Sequence, residues 1–459
     1  MKKILVIGLD CLAPDLVFNK WFSRMVNLRR LAEAGFYGQL ETVIPPITCP
    51  AWMSMMTGQA PNKLGVYGFN SRKNFSYTDI QIANSLNINE RTVWEILSEK
   101  GMECVVVGVP LTYPPKPLQG CMITSFLTPS LQSNCTYPAD FKNEVLTITP
   151  GYMLDVDNYR TNAKEGLLTD IYRMTENRFK LTRHLLKTRH WQFAMVVEMG
   201  PDRMHHAFWK YFDTSHQQYV PGNPYENAML EYYRYLDDEV GRLVAEVDDE
   251  TTVLIVSDHG AKSMKGCFCI NEWLINEGYL VLKQYPSTPT DLRKCDVDWG
   301  KTKAWGWGGY HSNIFLNVEG REPRGLIPPH LFEEERARLI DKLLEIPQKN
   351  GSPMDTLADT PENIYRDACK GETPDIMAFF DDLHYRAAGT IGHGKLYLDE
   401  NDTGPDDAVH DWNGVFIMKP AGAQHSASAG DYSIYDIAPT ILSCLDIEIP
   451  KEMMGKIIQ

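Results

Sequence analysis

Short apolar runs recur along this chain, and several of them end on a residue able to bind a metal. Lys3-Ile-Leu-Val-Ile-Gly-Leu9 is followed by Asp10. Gln192-Phe-Ala-Met-Val-Val-Glu198 leads into Gly200-Pro-Asp-Arg-Met-His-His206, and Thr252-Val-Leu-Ile-Val256 leads into Ser257-Asp-His-Gly260. Runs this short, rich in β-branched residues and closed by a turn, predict strands buried on both faces, as in a parallel sheet. Further strand-like runs stand at 103–107, 121–125, 313–318 and 375–380, with Gly414-Val-Phe-Ile-Met418 beyond them. Helical periodicity occupies 168–188 and 225–247. The alternation predicts a doubly wound α/β sheet. Two stretches break it: 128–165, rich in Tyr, Asn, Pro and Thr, and 261–312, which holds Trp305-Gly-Trp-Gly-Gly-Tyr-His311. Both are expected to be cap insertions on a single unit spanning 1–459.

In open α/β sheets, ligand sites gather at the carboxyl ends of the strands. Asp10, Asp202, His206, Asp258 and His259 all fall there, and His410 lies just before the run at 414–418. Asp202 and His206 are four apart, so one helical turn places both on one face, with His205 pointing elsewhere. Taken singly, each residue reads as an ordinary hydrogen-bonded turn or core residue. Their shared position is what argues for chemistry. Three carboxylates and three imidazoles are enough donors for two divalent ions, and mixed oxygen and nitrogen ligands suit Zn²⁺ or Mn²⁺.

A nucleophile is available in Pro45-Pro-Ile-Thr-Cys-Pro-Ala-Trp-Met-Ser-Met-Met-Thr-Gly58. Thr48 is expected at a helix start, where unpaired N–H groups and the positive end of the dipole favour a bound phosphate. A metal on its hydroxyl would make it nucleophilic. Its plain structural role is that of an N-cap, with Pro50 in the first turn. Cys49 is the other local nucleophile, without an evident partner base.

The ordered set Asp10, Thr48, Asp202/His206, Asp258/His259 and His410 resembles the alkaline phosphatase superfamily. More narrowly, it is similar to the type I phosphodiesterase/nucleotide pyrophosphatase branch. The resemblance runs the whole length, through Ile7-Gly-Leu-Asp10, Pro46-Ile-Thr-Cys-Pro-Ala-Trp52, Gly65-Val-Tyr-Gly-Phe69, Asp202-Arg-Met-His-His206, Ser257-Asp-His-Gly260, Gly320-Arg-Glu-Pro323 and Asp436-Ile-Ala-Pro-Thr-Ile441. It implies an α/β/α sandwich with a largely parallel central sheet. It also implies one metal on Asp10, Thr48, Asp258 and His259, a second on Asp202, His206 and His410, and Thr48 as the nucleophile. Asn70 is the nearest match to an Asn that holds a phosphate oxygen in nucleotide pyrophosphatases, displaced by about one residue. Relatives often carry His where this chain has Leu64, which is not a ligand position. They often show His-Arg where Val409-His-Asp-Trp-Asn-Gly414 stands, and His393 in Gly392-His-Gly394 competes with His410 for the last ligand. Arg203, directly after a ligand, is a candidate phosphate contact, with a structural salt bridge as the alternative. His311 is a candidate pocket residue.

Composition narrows the partners. At 459 residues and 43% hydrophobic, the chain can bury a large core. A net charge of −15 argues against a nucleic-acid or acidic-membrane surface. A small anionic substrate stays compatible, because bound cations dominate the local field. The expected substrate is a small phosphorylated molecule, with nucleotides among the candidates. The apolar run after Met1-Lys-Lys is short and ends in Asp10, so it reads as a strand and not as a signal peptide. No stretch of about 20 apolar residues is present. Ten cysteines without zinc-finger spacing suggest reduced thiols and a cytoplasmic setting. A phosphomonoesterase on the same fold is the main alternative. Sulfatases use Cys or Ser and phosphomutases Ser where Thr48 stands, which disfavours both. An intact ligand set argues against a catalytically dead binding protein.

Overall fold

The computed structural model describes residues 2–423 and 427–459. Among the described residues, nine strands make the central sheet: β1 (Lys3–Leu9), β2 (Phe36–Glu41), β3 (Cys104–Val109), β4 (Gly120–Thr124), β5 (Thr136–Tyr137), β6 (Phe193–Glu198), β7 (Thr251–Val256), β8 (Asn413–Lys419) and β9 (Ser428–Ser433). Their spatial order is β9-β2-β8-β7-β1-β6-β3-β4-β5. The centre is parallel: β1 pairs with β6 and β7, and β3 with β6 and β4. On the other side β8 runs antiparallel between β7 and β2, and β2 pairs parallel with β9.

The apolar runs become strands because both sheet faces are covered. Every residue of β3, β6 and β7 is buried. Helices α1 (Val26–Glu33), α4 (Lys164–Thr188), α5 (Gly200–Phe212) and α6 (Ala228–Val244) pack on one another as one group. Helices α2 (Thr48–Thr57), α3 (Val93–Glu99) and α7 (Ile437–Cys444) form a second. The result is an α/β/α layering, as the resemblance implies. A second hydrophobic cluster runs from Phe268 to Ile391, with Tyr77 added from outside that span. It packs around an antiparallel sheet of Ala304–Trp307, Ser312–Leu316, Ile376–Phe379 and Leu357–Asp359.

Register then gathers the chemistry. Leu9 lies opposite Glu198, and Gly8 opposite Val256. The residues that follow these three strands therefore leave at one end of the sheet. Gly8 also lets α2 approach β1: a Cβ there would sit 2.4 Å from Trp52 Cη2 and 2.8 Å from Val197 Cγ2. Both neighbours belong to a close-packed core, so Gly8→Ala is expected to cost about 1–3 kcal/mol. A urea midpoint equal to wild type would show that α2 yields freely.

All ten cysteines are free, and seven of them are buried. Among the described residues, no helix is long and apolar enough to cross a membrane.

Candidate active site

The turn after β1 is tied to the turn after β7. Cys11 adopts a left-handed backbone (φ 63°), and its N–H donates to Asp258 Oδ1 at 3.1 Å. The Leu12 N–H donates to Ser257 Oγ at 2.8 Å, and that hydroxyl donates to the His259 carbonyl at 2.6 Å. Asp10 accepts a hydrogen bond from Trp52 Nε1 on Oδ2 at 2.7 Å, which ties α2 to β1. Thr48 is the first residue of α2, one position inside the helix from the N-cap, Ile47. It is buried, and its Oγ1 lies 3.5 Å from His259 Nε2.

Helix α5 delivers Asp202 and His206 on one face, with Oδ1 and Nε2 3.2 Å apart. His205 turns away and meets the Tyr233 hydroxyl at 2.7 Å. His206 Nδ1 donates to Asp406 Oδ1 at 2.7 Å, which orients the ring and leaves Nε2 facing the site. The Tyr310 hydroxyl lies 3.0 Å from that Nε2. His410 sits on a short strand, Ala408–Asp411, paired antiparallel with Gly260–Ser263. Its Nδ1 donates to the Pro46 carbonyl at 2.6 Å, and its Nε2 is 3.7 Å from Asp202 Oδ1. Its ring stacks between His259 and Tyr310, with centroids 3.8 and 3.6 Å away. Ligand atoms of Asp202, His206 and His410 lie within 4.8 Å of one another, as do those of Asp10, Asp202 and His259.

The electrostatics of this cluster fit a candidate cation site. Asp10 Oδ1, Asp202 Oδ1, Asp258 Oδ2 and His410 Nε2 are buried and have no hydrogen-bond partner among the described residues. Buried polar groups left this way are costly, and carboxylates most of all. Burial raises the Asp10 carboxyl, and Asp258 and Asp202 push it up further; burial likewise raises Asp258. Burial also works to raise Asp202, but His206 and Arg203 overcome it and hold that carboxyl well below the usual range. For His206 burial favours the neutral ring, yet Asp406 and Asp202 bring it up to about 10. Burial lowers His259 to about 4 and takes His410 well below the ordinary histidine range. Two neutral imidazoles beside three crowded carboxylates form a donor set that fits divalent cations.

A cavity of about 600 Å³ opens over the cluster, and Thr48, Asn70, Asp202, Arg203, His311 and His410 line it. Asn70 is exposed at its rim, on the hairpin strand Asn70–Arg72. Arg203 is held in place: it grips both oxygens of Asp155 at 2.9 and 2.6 Å, pairs with Asp202, and lies 4.5 Å over the Tyr159 ring. His311 is bonded to Asn313 at 3.0 Å and stacks on Phe379 at 5.0 Å. His393 bonds to Thr390 Oγ1 at 2.7 Å and belongs to none of the ligand clusters. Cys49 is buried, and burial pushes its thiol far up. The sequence reading missed Trp52, Asp406, Tyr310, Arg160 and Arg386. Of these, Asp406 carried a local signal as a carboxylate four residues before His410, and Trp52 and Tyr310 stood inside motifs already singled out, without a role.

Known proteins match this architecture. Human ectonucleotide pyrophosphatase/phosphodiesterase 5 superposes with a TM-score of 0.57 at 12% identity, over 98% of this chain and 96% of its own. The murine ectonucleotide pyrophosphatase/phosphodiesterase 5, an inactive variant with a threonine replaced by alanine, in complex with AMP, gives 0.56 at 11% identity over the same shares. At such identities the likeness concerns the fold. No curated protein matches the chain by sequence. A family model described as type I phosphodiesterase / nucleotide pyrophosphatase matches residues 4–406. Because that match spans most of the chain, the protein belongs to the type I phosphodiesterase/nucleotide pyrophosphatase family, metal-dependent hydrolases of phosphoric esters.

Proposed function

We propose that the protein cleaves small phosphodiesters by way of a covalent phosphothreonine on Thr48. The observation that carries this reading is the setting of Thr48. It stands buried at the first residue of α2, 3.5 Å from His259, and lines one cavity with Asp202 and His410. Asp10, Thr48, Asp258 and His259 would hold one divalent cation, and Asp202, His206 and His410 the other. The four buried atoms without hydrogen-bond partners fit such a pair. When bound, the cations neutralise charge on the attacking and leaving oxygens. The nitrogen and oxygen donors favour Zn²⁺, with Mn²⁺ as the alternative.

The chain's own residues do the rest. The Thr48 hydroxyl gives up its proton to water as its oxygen attacks phosphorus; an O–P bond forms, the bond to the leaving oxygen breaks, and that oxygen takes up a proton from water to depart as the alcohol. Water then cleaves the phosphothreonine and restores the hydroxyl. The free N–H groups and dipole at the start of α2 favour the phosphoryl oxygens during both steps. Asn70 reaches the same oxygens from the rim. Arg203 faces the same cavity with its three nitrogens engaged by Asp155 and Asp202, so its part is to fix the Asp202 carboxylate beside the phosphate, and His311 lines the outer pocket. Cys49 is no rival, because its thiol stays protonated at neutral pH. An inactive murine relative that lacks a threonine and holds AMP supports both the nucleophile and a nucleotide as substrate. The stretches 128–165 and 261–312 serve as caps on a single catalytic unit spanning 1–459. Phe126, beside the first stretch, and Tyr159, within it, reach the cavity wall, as do Leu292 and Tyr310 from the second. Ten cysteines, seven of them buried thiols, suit a reducing compartment, and we place the protein in the cytoplasm.

Space favours a diester over a monoester, since a cavity of about 600 Å³ leaves room for a second ester group. With Zn²⁺ or Mn²⁺ supplied, kcat/KM for bis-p-nitrophenyl phosphate is expected to exceed that for p-nitrophenyl phosphate. A strong preference for the monoester would overturn the diesterase reading.

A further inference from the structure

Two arginines converge on one carboxylate beside the candidate metal centre. Arg160 Nε and Arg386 Nη1 each donate to Asp406 Oδ2 at 3.0 Å, while the other oxygen of Asp406 receives His206 Nδ1. Arg386 lies 4.2 Å over the Tyr310 ring, and Arg160 lies 4.9 Å over Tyr159. One negative charge therefore serves two guanidinium groups. Arg386 is almost fully buried and its Nε has no hydrogen-bond partner. The Arg160 side chain is 21% exposed, and its terminal nitrogens form no hydrogen bond among the described residues. Both arginines line the cavity that holds Thr48. Orienting His206 needs only Asp406. A second arginine on the same oxygen exceeds that need and leaves this cluster with one more guanidinium than carboxylate at the cavity wall.

The location gives this surplus a direction. In-line displacement puts the attacking and leaving oxygens on opposite sides of phosphorus. Thr48 attacks from the side of His259 and Asp258, so the leaving group departs toward Asp202, His206 and His410. On that side Tyr310 meets His206 Nε2, Asp406 holds its Nδ1, and Arg386 and Arg160 extend the cavity wall beyond Asp406.

We propose that Arg160, backed by Arg386, is the specificity determinant for an oxyanion carried on the leaving group. That oxyanion is a phosphate or a carboxylate, and the arginine's fork of donors suits both. The proposal rests on the diesterase reading above. Arg160 can be removed without stripping Asp406, which keeps Arg386 and His206 as partners.

The test compares wild type and Arg160→Gln, both loaded with metal, on three diesters. Bis-p-nitrophenyl phosphate has a leaving group without an oxyanion. A dinucleoside diphosphate supplies a phosphate, and bis-p-carboxyphenyl phosphate, in which either ester group that departs carries the anion, a carboxylate. In wild type, at least one oxyanion substrate is expected to surpass bis-p-nitrophenyl phosphate in kcat/KM. Arg160→Gln should lower that substrate about tenfold or more, the loss of a charge-assisted bond. The bis-p-nitrophenyl phosphate rate and the bound metal should stay within about twofold, and Arg160→Lys should recover part of the loss. Which of the two oxyanion substrates is affected identifies the anion. Parallel losses on all three substrates, or a lower metal content, would reduce Arg160 to a structural partner of Asp406 and overturn the proposal. So would a wild type that prefers the neutral leaving group. Failure of the diesterase reading shows separately, as no wild-type turnover of any diester.

Discussion

Thr48→Ala is expected to lower kcat on bis-p-nitrophenyl phosphate by on the order of 10⁴-fold or more, the scale seen when a covalent nucleophile is removed. The fold should survive. Thr48 stands inside the first turn of α2 and makes no capping hydrogen bond through its side chain, and alanine is the better helix former. The remaining six proposed ligands are untouched, so metal content should stay near wild type. Thr48→Ser keeps a hydroxyl at the same point and should retain measurable turnover. The readouts are steady-state rates, bound metal and a thermal melt on the same preparations. An alanine variant that stays folded and metal-loaded yet turns over within tenfold of wild type would remove Thr48 from its role. An acid-stable phosphothreonine trapped by rapid quench in wild type, and absent from the alanine variant, would place the covalent bond directly.

Removal of metal should have the other large effect, and on two observables at once. Asp10, Asp202 and Asp258 are buried together, and each keeps an oxygen without a hydrogen-bond partner. A chelator should abolish turnover, and Zn²⁺ or Mn²⁺ should restore it. Stability should move as well, because a cation that binds only the folded state adds RT ln(1 + [M]/Kd), about 2.7 kcal/mol at 100 times Kd. The melting temperature should therefore rise with metal concentration. Full activity after exhaustive chelation would sink the mechanism. A melting temperature indifferent to metal would show that the carboxylates find their compensation within the protein.

The sequence announced the strands of the sheet's centre because burial on both faces left a local mark. β1, β6 and β7 are unbroken apolar runs, and each ends on or near a donor. Asp202 and His206 were legible for a similar reason, since helical spacing is a local property. His410 was harder, because a separate strand pairing with Gly260–Ser263 decides where it points. Nothing in its neighbourhood excluded His393, which the structure places against Thr390 and Glu272. Arg160 and Arg386 carried no local signal. Their convergence on Asp406 joins residues 20 and 246 positions away from that carboxylate, and only tertiary packing brings them together. Trp52 was quoted as part of a motif, but its bond to Asp10 depends on how α2 crosses β1.

Strand β8 has a consequence for how the molecule comes into being. It is the strand that separates β7 from β2, so β2 and β9 join the rest of the sheet only through residues 413–419. His410 arrives three residues ahead of it. On the ribosome, domains form from the N-terminal side as chain emerges. Asp10, Asp202 and Asp258 are then gathered by β1, β6 and β7 while the sheet is still open. The same short stretch of late chain closes the sheet and delivers the last imidazole. A nascent chain stalled before that point would carry the acidic half of the centre without its final histidine, and would be unable to capture metal in the mature arrangement.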